Sequence, residues 1–166
     1  MINAIFAVDE AGALGYKNGL PWGNNKTDLA RFKEITHKKI VMMGRNTWDS
    51  LPDFFKPLTN RFNVIVTSHK FKPFNEPHPL VSLIHPDFLI SYLVANKWKP
   101  IYIIGGKQLI ESTIHMIDHI HLTEISGTYP ADTHLNMVHI LQKFKLDDEI
   151  IIDNCTFKEY SRETIS

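Results

Sequence analysis

Short, almost wholly apolar segments alternate along the chain with segments in which apolar residues recur every three or four positions. The first kind is typical of buried strands, and the second is typical of helices that pack beside them. The strands are predicted at residues 2–8, 39–43, 62–67, 80–84, 100–104 and 119–126, and the helices at 27–37, 85–97 and 107–114. This alternation predicts an α/β fold with a mostly parallel central sheet and helices on both faces.

The C-terminal part breaks this alternation. Two strands predicted at 140–152 and 155–163 are joined by a turn at Asp153 and Asn154, which indicates an antiparallel pair. No repeat or linker interrupts the pattern, so we expect a single domain over residues 1–166. In the helix at 85–97, Pro86 lies in the first turn, and the predicted apolar stripe consists of Phe88, Leu89, Tyr92 and Leu93.

Two loops and one helix start complete the predicted elements. Residues 9–26 form a long loop, and loops of that length inside a domain are usually functional. Residues 69–79 carry three prolines and form a second loop. The helix after the first loop has Asn25 or Thr27 as its expected N-cap, and its apolar face carries Leu29, Phe32 and Ile35.

Charge and cysteine content exclude several classes of protein. The 166 residues carry 18 basic and 18 acidic side chains without a long basic run, so nucleic acid is not an expected partner. No apolar run approaches the roughly 20 residues that span a bilayer, and residues 1–6 lack the pattern of a signal peptide. The single cysteine, Cys155, suits a reducing compartment. We therefore expect a cytoplasmic protein with no membrane partner, and a monomer.

Asp28 is the most informative polar residue of the chain. It lies at the head of a predicted helix, after a loop that carries Pro21 and Trp22, and beside Leu29 and Phe32. A buried carboxylate is costly unless a partner compensates it, and a cationic, hydrogen-bonding heterocycle would be such a partner. The alternative is an acidic residue in the first turn that interacts with the helix dipole. The flanking aromatic side chains favour a planar ligand.

Two turns that contain glycine follow predicted buried strands. In open α/β sheets, ligands bind beyond the carboxyl ends of the strands, where helix starts offer unpaired N–H groups. Residues 44–47 form such a turn and add the cation of Arg45, and Gly105 with Gly106 forms the second. Neither turn contains the G-x-G-x-x-G fingerprint. Both could equally be turn glycines without a ligand.

Metal and covalent chemistry have little support in the sequence. His115 and His119 are four residues apart, but they straddle the predicted end of a helix. The sequence contains no Cys cluster, no H-E-x-x-H and no G-x-S-x-G, and Cys155 has no histidine near it in sequence. We expect neither a metal site nor covalent catalysis.

An ordered set of segments resembles the dihydrofolate reductase family, with no single motif being decisive. The segments are residues 5–7, 14–15, 18–22, 28–33, 43–51, 61, 66–68, 103–106, 122–123 and 132–134. The resemblance implies a dihydrofolate reductase-like fold and the NADPH-dependent reduction of 7,8-dihydrofolate to tetrahydrofolate. It implies hydride transfer from nicotinamide C4 to pterin C6, with a proton delivered to N5, and antifolates as further ligands.

The resemblance also assigns roles to individual residues. The candidate catalytic residues are Asp28, which would bind the pterin ring, and Leu20 and Trp22, which would belong to a mobile loop over the nicotinamide. The candidate substrate-binding residues are Ile5, Ala7, Asp28, Leu29, Phe32, Leu51, Arg61, Ile104 and Thr123, with Arg61 binding a carboxylate of the glutamate tail. The candidate NADPH-binding residues are Ala7, Leu14, Gly15, Gly44, Arg45, Asn46, Thr47, Thr67, Ser68, His69, Ile104, Gly105, Gly106, Lys107, Gln108 and Leu109. The family joins the two consecutive glycines by a cis peptide.

The chain departs from the family's pattern at several places. Residues 23–27 are one residue longer than in many members, and the segment 53–59 is longer than usual. Ile110 stands where a tyrosine near the nicotinamide is usual, and Gln108 stands where a basic residue is frequent, which leaves Arg45 with less help at the 2′-phosphate. Two alternatives therefore stay open: a related pyrimidine reductase of riboflavin synthesis, and a non-catalytic folate- and NADPH-binding or structural protein.

Overall fold

The computed structural model describes residues 1–165. Within them the strands are β1 (Ile2–Asp9), β2 (Ala13–Gly15), β3 (Ile40–Gly44), β4 (Phe62–Val66), β5 (Val81–Ile84), β6 (Ile101–Gly105), β7 (His119–Ile125), β8 (Thr133–His134), β9 (Phe144–Ile152) and β10 (Cys155–Arg162). The helices are α1 (Lys26–Thr36), α2 (Arg45–Ser50), α3 (Leu89–Asn96), α4 (Lys107–Thr113) and α5 (Met137–Ile140). Short 3-10 turns lie at Asp53–Phe55, Pro86–Phe88 and Ile114–Met116.

Eight strands form the central sheet in the order β5-β4-β3-β6-β1-β7-β10-β9. Neighbouring strands from β5 to β7 are parallel, and β10 is antiparallel to both β7 and β9. The predicted α/β class, the mostly parallel sheet and the antiparallel C-terminal pair are therefore confirmed. β1 lies in the middle of the sheet, and all eight of its residues are buried, which explains why its sequence is almost continuously apolar.

The two faces of the sheet are covered differently. On one face, α3 and α4 complete a large core with Phe6, Met42 and Ile103. On the other face, Val41, Met43 and Ile65 pack beneath Trp48 of α2, and Phe32 of α1 lies at the edge of this smaller cluster. Successive residues of a strand point to opposite faces, so Ile5 and Ala7 lie on the second face, where α1 begins. This difference between the faces determines where a cleft can form.

The structure corrects three predictions of local structure. The predicted loop 9–26 contains β2, which pairs with β8, a strand of only two residues. The last hairpin begins later than predicted, because residues 137–140 are the helix α5 and β9 starts at Phe144. Phe88 belongs to a 3-10 turn before α3 and is 65% exposed, so it is not part of the apolar stripe that Leu89 and Leu93 bury.

Across the described residues 1–165, the helices lack the combination of length and apolar character needed to cross a membrane.

Candidate active site

Asp28 lies in the first turn of α1, beside the last half of β7. The N-cap of the helix is Asn25, whose side-chain oxygen accepts a hydrogen bond from the backbone N–H of Asp28 at 3.0 Å. Burial raises the pKa of the Asp28 carboxyl, and a hydrogen bond from the Thr123 side chain and the positive charge of Arg31 oppose this shift. The carboxylate is thus desolvated and incompletely compensated by the protein.

The surface beside Asp28 is apolar and only partly covered. Ile5 and Ala7 are buried in β1, and Ala7 pairs with Thr123 in the sheet. Leu29, at the start of α1, is 42% exposed, and Phe32 is half-buried. An amphipathic helix normally buries its apolar stripe, so part of the apolar face of α1 stays uncovered beside Asp28. Leu51 and Ile104, the other predicted wall residues, are half-buried and belong to the same face of the sheet.

Arg61 is a buried cation at the start of the segment that leads into β4. Its Nε donates to the backbone oxygen of Thr59 at 2.9 Å, and one terminal nitrogen donates to the Thr36 hydroxyl at 3.2 Å. Burial lowers its pKa. No carboxylate from the described part of the chain forms an ion pair with it. A buried guanidinium of this kind fits a carboxylate supplied by a ligand.

Asp9, the last residue of β1, joins the turn into β2 to the segment that contains Tyr129. The carboxylate of Asp9 accepts hydrogen bonds from the N–H groups of Ala11, Ala13 and Tyr129 at 2.8–2.9 Å. Burial alone would raise its pKa, but these donors lower it below its ordinary value. In the loop between β2 and α1, the Trp22 ring contacts Tyr129 edge to face with the ring centres 6.4 Å apart, whereas Leu20 is exposed.

Trp22 also presents a polar group without a partner. Its indole Nε1 is buried and has no hydrogen-bond acceptor among residues 1–165. Buried donors of this type are uncommon in proteins, so this one is available to a ligand or to water.

Most of the predicted cofactor residues lie at or just beyond the carboxyl ends of three neighbouring strands. β4, β3 and β6 are adjacent in the sheet, and Gly44 pairs with Val66 while Met43 pairs with Gly105. A β-carbon on Gly105 would lie 3.4 Å from the hydroxyl oxygen of Thr47, so the two glycine turns are in contact. No side chain caps the start of α2 or of α4, and the peptide between Gly105 and Gly106 is cis, as the resemblance implied.

The side chains around these turns differ in their contacts and in their exposure to solvent. Arg45 stacks on Phe71 with its guanidinium carbon 3.6 Å from the ring centre, and its Nε contacts Asp49. Asn46, Ser68, His69, Lys107 and Gln108 are exposed, Thr47 and Thr67 are half-buried, and Leu109 lies in the core behind α4. Leu14 and Gly15 form part of β2.

Three kinds of comparison connect the chain to characterised proteins. A family model described as dihydrofolate reductase matches residues 1–162. The dihydrofolate reductase of Mycoplasma genitalium is 33% identical over 98% of this chain and 99% of its own length, and that of Bacillus subtilis is 34% identical over 81% and 74%. A solved structure of dihydrofolate reductase from Enterococcus faecalis, complexed with NADP(H) and RAB-propyl, has a TM-score of 0.79 at 25% identity, and covers 99% of this chain and 97% of its own.

The chain belongs to the dihydrofolate reductase family. This confirms the family expected from the ordered segments, and with it the expected reductase activity and NADPH as cofactor. The roles of single residues are not decided by membership, and they stay predictions. The same holds for the single-domain expectation over residues 1–166.

Ile110 is one of the departures from the dihydrofolate reductase pattern, and the structure shows its surroundings. Ile110 is fully buried in the large core beneath the sheet, with Leu109 beside it. An apolar side chain is well matched to that position. The neighbouring Gln108 is exposed at the first turn of α4.

Several contacts around the site were not foreseen from the sequence. Phe71, which stacks on Arg45, comes from the proline-containing loop, where no periodic pattern indicates a packed residue. The ion pair between Arg31 and Glu159 joins residues 128 positions apart. The only indication of this contact in the sequence was that Arg31 follows Asp28 by three residues and so lies on the same side of α1.

Within residues 1–165, no group of three or more potential metal ligands comes together. His115 lies in a 3-10 turn, and His119 is the first residue of β7.

Proposed function

We propose that this chain reduces 7,8-dihydrofolate with NADPH, and that Asp28 is the carboxylate that binds the pterin ring. The observation that carries the proposal is the desolvated carboxylate of Asp28, opposite Thr123 and beside an uncovered apolar surface. A flat heterocycle with adjacent N–H donors on one edge satisfies both features, because its faces cover Leu29 and Phe32 while its edge pairs with the carboxylate.

Asp28 contributes to the reaction mainly through charge. The carboxylate accepts hydrogen bonds from the ring nitrogen and the exocyclic amine, and it stabilises the positive charge that increases as the ring is reduced. Thr123 binds the same edge of the ring. Because Asp28 holds the edge opposite the reacting atoms, we infer that the proton reaches N5 through water rather than from Asp28 directly.

Arg61 binds the other end of the substrate. Its guanidinium is buried, uses two of its nitrogens on Thr59 and Thr36, and lacks a carboxylate partner in residues 1–165. A carboxylate of the glutamate tail accepts a charge-assisted hydrogen bond from this guanidinium. This feature favours a folate over the pyrimidine intermediate of riboflavin synthesis.

The cofactor residues fit a phosphorylated dinucleotide. The glycines at 44, 105 and 106 leave room for a close approach of backbone, and Arg45 supplies a cation held by Phe71. When bound, NADPH supplies the hydride. The loop with Leu20 and Trp22 covers the reacting atoms and excludes water from them.

Two further parts of the proposal concern the protein's state. We infer a monomer in the cytoplasm, with no nucleic-acid or membrane partner and with antifolates as competing ligands. The balanced charge of the chain and its single, buried cysteine support this inference.

The direct test is the fall in NADPH absorbance when 7,8-dihydrofolate is added to the purified protein. We expect oxidation that depends on dihydrofolate and is competed by a diaminopteridine antifolate. Oxidation with the riboflavin-pathway pyrimidine instead would reassign the substrate. Binding of both ligands without oxidation would identify a binding protein that has lost the chemistry.

Arg45→Ala tests the cofactor assignment. If Arg45 binds the 2′-phosphate, the KM for NADPH rises at least about tenfold while that for NADH is nearly unchanged. Lys143→Ala, which removes an exposed cation directly before β9, at the edge of the sheet away from β3 and β4, is the matched control. Equal losses for NADPH and NADH would assign Arg45 to the shared part of the cofactor or to folding.

A further inference from the structure

A charged cluster outside the proposed ligand contacts joins the helix that carries Asp28 to the strand that carries Thr123. Arg31 on α1 forms an ion pair with Glu159 on β10. The other carboxylate oxygen of Glu159, Oε2, lies 2.5 Å from Nδ1 of His121 on β7, a close contact that does not have hydrogen-bond geometry. Glu159 therefore contacts both elements at the same time.

Helix and strand periodicity relate this cluster to the proposed pterin contacts. Arg31 follows Asp28 by three residues, so the two side chains are neighbours on the surface of α1. His121 precedes Thr123 by two residues, so both side chains point to the same face of β7. Glu159 is directly opposite His121 in the antiparallel ladder. A displacement of Glu159 would consequently change the position of α1 relative to β7.

A second contact supports the same arrangement. The guanidinium carbon of Arg31 lies 4.3 Å from the centre of the Phe157 ring. Phe157 is the cross-strand partner of Thr123. Arg31 therefore contacts two residues of β10. Its guanidinium lies against the ring of Phe157, which is opposite Thr123, and pairs with the carboxylate of Glu159, which is opposite His121.

The cluster is sheltered enough for its contacts to be specific. The side chains of Arg31, Glu159 and His121 are 21%, 29% and 20% exposed. Burial, together with the charges of Arg31 and His119, lowers the pKa of His121 to about 4, so this imidazole is neutral at neutral pH. The formal charges of the cluster at neutral pH are then those of Arg31 and Glu159.

We propose that Glu159 is a positioning residue for the reaction, which holds Arg31 and His121 together and thereby fixes the separation of Asp28 and Thr123. The inference rests on the proposed function, because it concerns the binding of the same substrate. Glu159 makes no contact with the pterin in this account. It acts through the two elements that do.

The same cluster sets the electrostatic environment of Asp28. The positive charge of Arg31 lowers the pKa of Asp28, and Glu159 partly neutralises that charge. Removal of Arg31 should therefore raise the pKa of Asp28, and removal of the charge of Glu159 should lower it. The charged or titratable groups that face Asp28, Arg31 and His121 are Glu34 on α1, Tyr102 on β6, His119 on β7, Asp148 on β9, Asp153 in the turn, and Cys155 and Glu159 on β10.

The test compares Glu159→Gln and Arg31→Met with Glu124→Gln. Glu124 pairs with Lys158 at 2.5 Å across the same two strands, β7 and β10, but on the opposite face of the sheet. We expect Glu159→Gln to raise the KM for dihydrofolate about tenfold with a much smaller change in kcat, because the ground state and the transition state both lose alignment. Glu124→Gln should leave both constants within about twofold.

A second measurement follows the Asp28 carboxyl directly, by ¹³C NMR titration of the protein without ligands, with Asp28→Asn used for assignment. The midpoint should move up in Arg31→Met and down in Glu159→Gln. A purely structural role would not move the two midpoints in opposite directions. Glu159→Asp, which keeps the charge but shortens the side chain, should raise the KM without lowering the midpoint.

The outcomes separate this inference from the proposed function. If wild-type protein turns over dihydrofolate but Glu159→Gln behaves as Glu124→Gln does, the positioning role is wrong. If wild-type protein has no turnover and the midpoints still move in opposite directions, the proposed function fails and the coupling of the cluster to Asp28 stands. Thermal unfolding checks that each variant is folded. If Glu159→Gln is not folded, the comparison of Arg31→Met with Glu124→Gln tests the positioning role instead.

Discussion

The helices α1 and α4 lie on opposite faces of the sheet and show opposite patterns of burial. α4 has seven residues, of which Leu109, Ile110 and Thr113 are buried, the first two in the large core. α1 has eleven residues and buries only Thr36, although its sequence also carries an apolar face. The apolar residues of α4 stabilise the fold, whereas Leu29 of α1 stays partly uncovered.

This difference in burial between α1 and α4 indicates where a ligand can gain binding free energy. The side chain of Leu29 is 42% exposed, and Asp28 beside it is a carboxylate whose pKa is raised by burial. An uncovered apolar stripe and a poorly compensated charge are both unfavourable in the free protein, and both are relieved by a ligand that covers one and pairs with the other. The same comparison can be tested by substitutions on each helix.

The largest effect on stability is expected for Ile110→Ala on α4. The side chain is fully buried, so its removal leaves a cavity and should lower the free energy of unfolding by about 2–5 kcal/mol. Urea denaturation monitored by circular dichroism measures this loss. A loss below about 1 kcal/mol would show that α4 is not part of a close-packed core.

Leu29→Ala on α1 should affect the KM for dihydrofolate more than the free energy of unfolding. Because the side chain is already partly exposed, its removal should lower the free energy of unfolding by less than about 1 kcal/mol. The KM for dihydrofolate should rise about fivefold, since apolar area covered by the substrate is lost. Steady-state kinetics and urea denaturation of the same preparation check both parts. A large loss of stability without a change in KM would place Leu29 in the core and contradict its role in binding the substrate.

The smallest effect is a change of stability with pH in Asp28→Asn. The folded-state pKa of Asp28 is raised above 3.8, so the folded protein binds the proton more tightly than the unfolded chain does. Its contribution to stability is therefore most favourable below this value and is lost as the pH rises through the raised pKa. Asp28→Asn should consequently be more stable than wild-type protein at neutral pH, and the difference should shrink in acid. Urea denaturation over this pH range measures it, and a variant that is less stable at neutral pH would contradict the desolvation of Asp28.

The local patterns of the sequence predicted most of the sheet and the start of α1. Buried parallel strands are almost continuously apolar, as in β1, and Asn25 is a favoured N-cap residue that the structure confirms. The strands β2 and β8 escaped prediction because three and two residues are too few to show a period. The helix α5 was hidden for the same reason, being a single turn.

The contacts that join distant segments could not be predicted in this way. Arg31 and Glu159 meet because β10 lies beside β7 in one particular register, and the sequence does not specify that register locally. Phe71 stacks on Arg45 from a loop without periodicity. Asp28 was singled out because its own neighbours in sequence, Leu29 and Phe32, made its placement unusual.

The central claim is that Asp28 binds the pterin ring, and single-turnover hydride transfer tests it most directly. Protein saturated with NADPH is mixed with 7,8-dihydrofolate, and the wild-type rate is compared with those of Asp28→Asn and of Glu34→Gln, an exposed glutamate on the same helix. We predict that Asp28→Asn lowers the rate at least about 100-fold at neutral pH while NADPH still binds, and that Glu34→Gln has no such effect. A folded Asp28→Asn variant with a nearly wild-type rate would contradict the account.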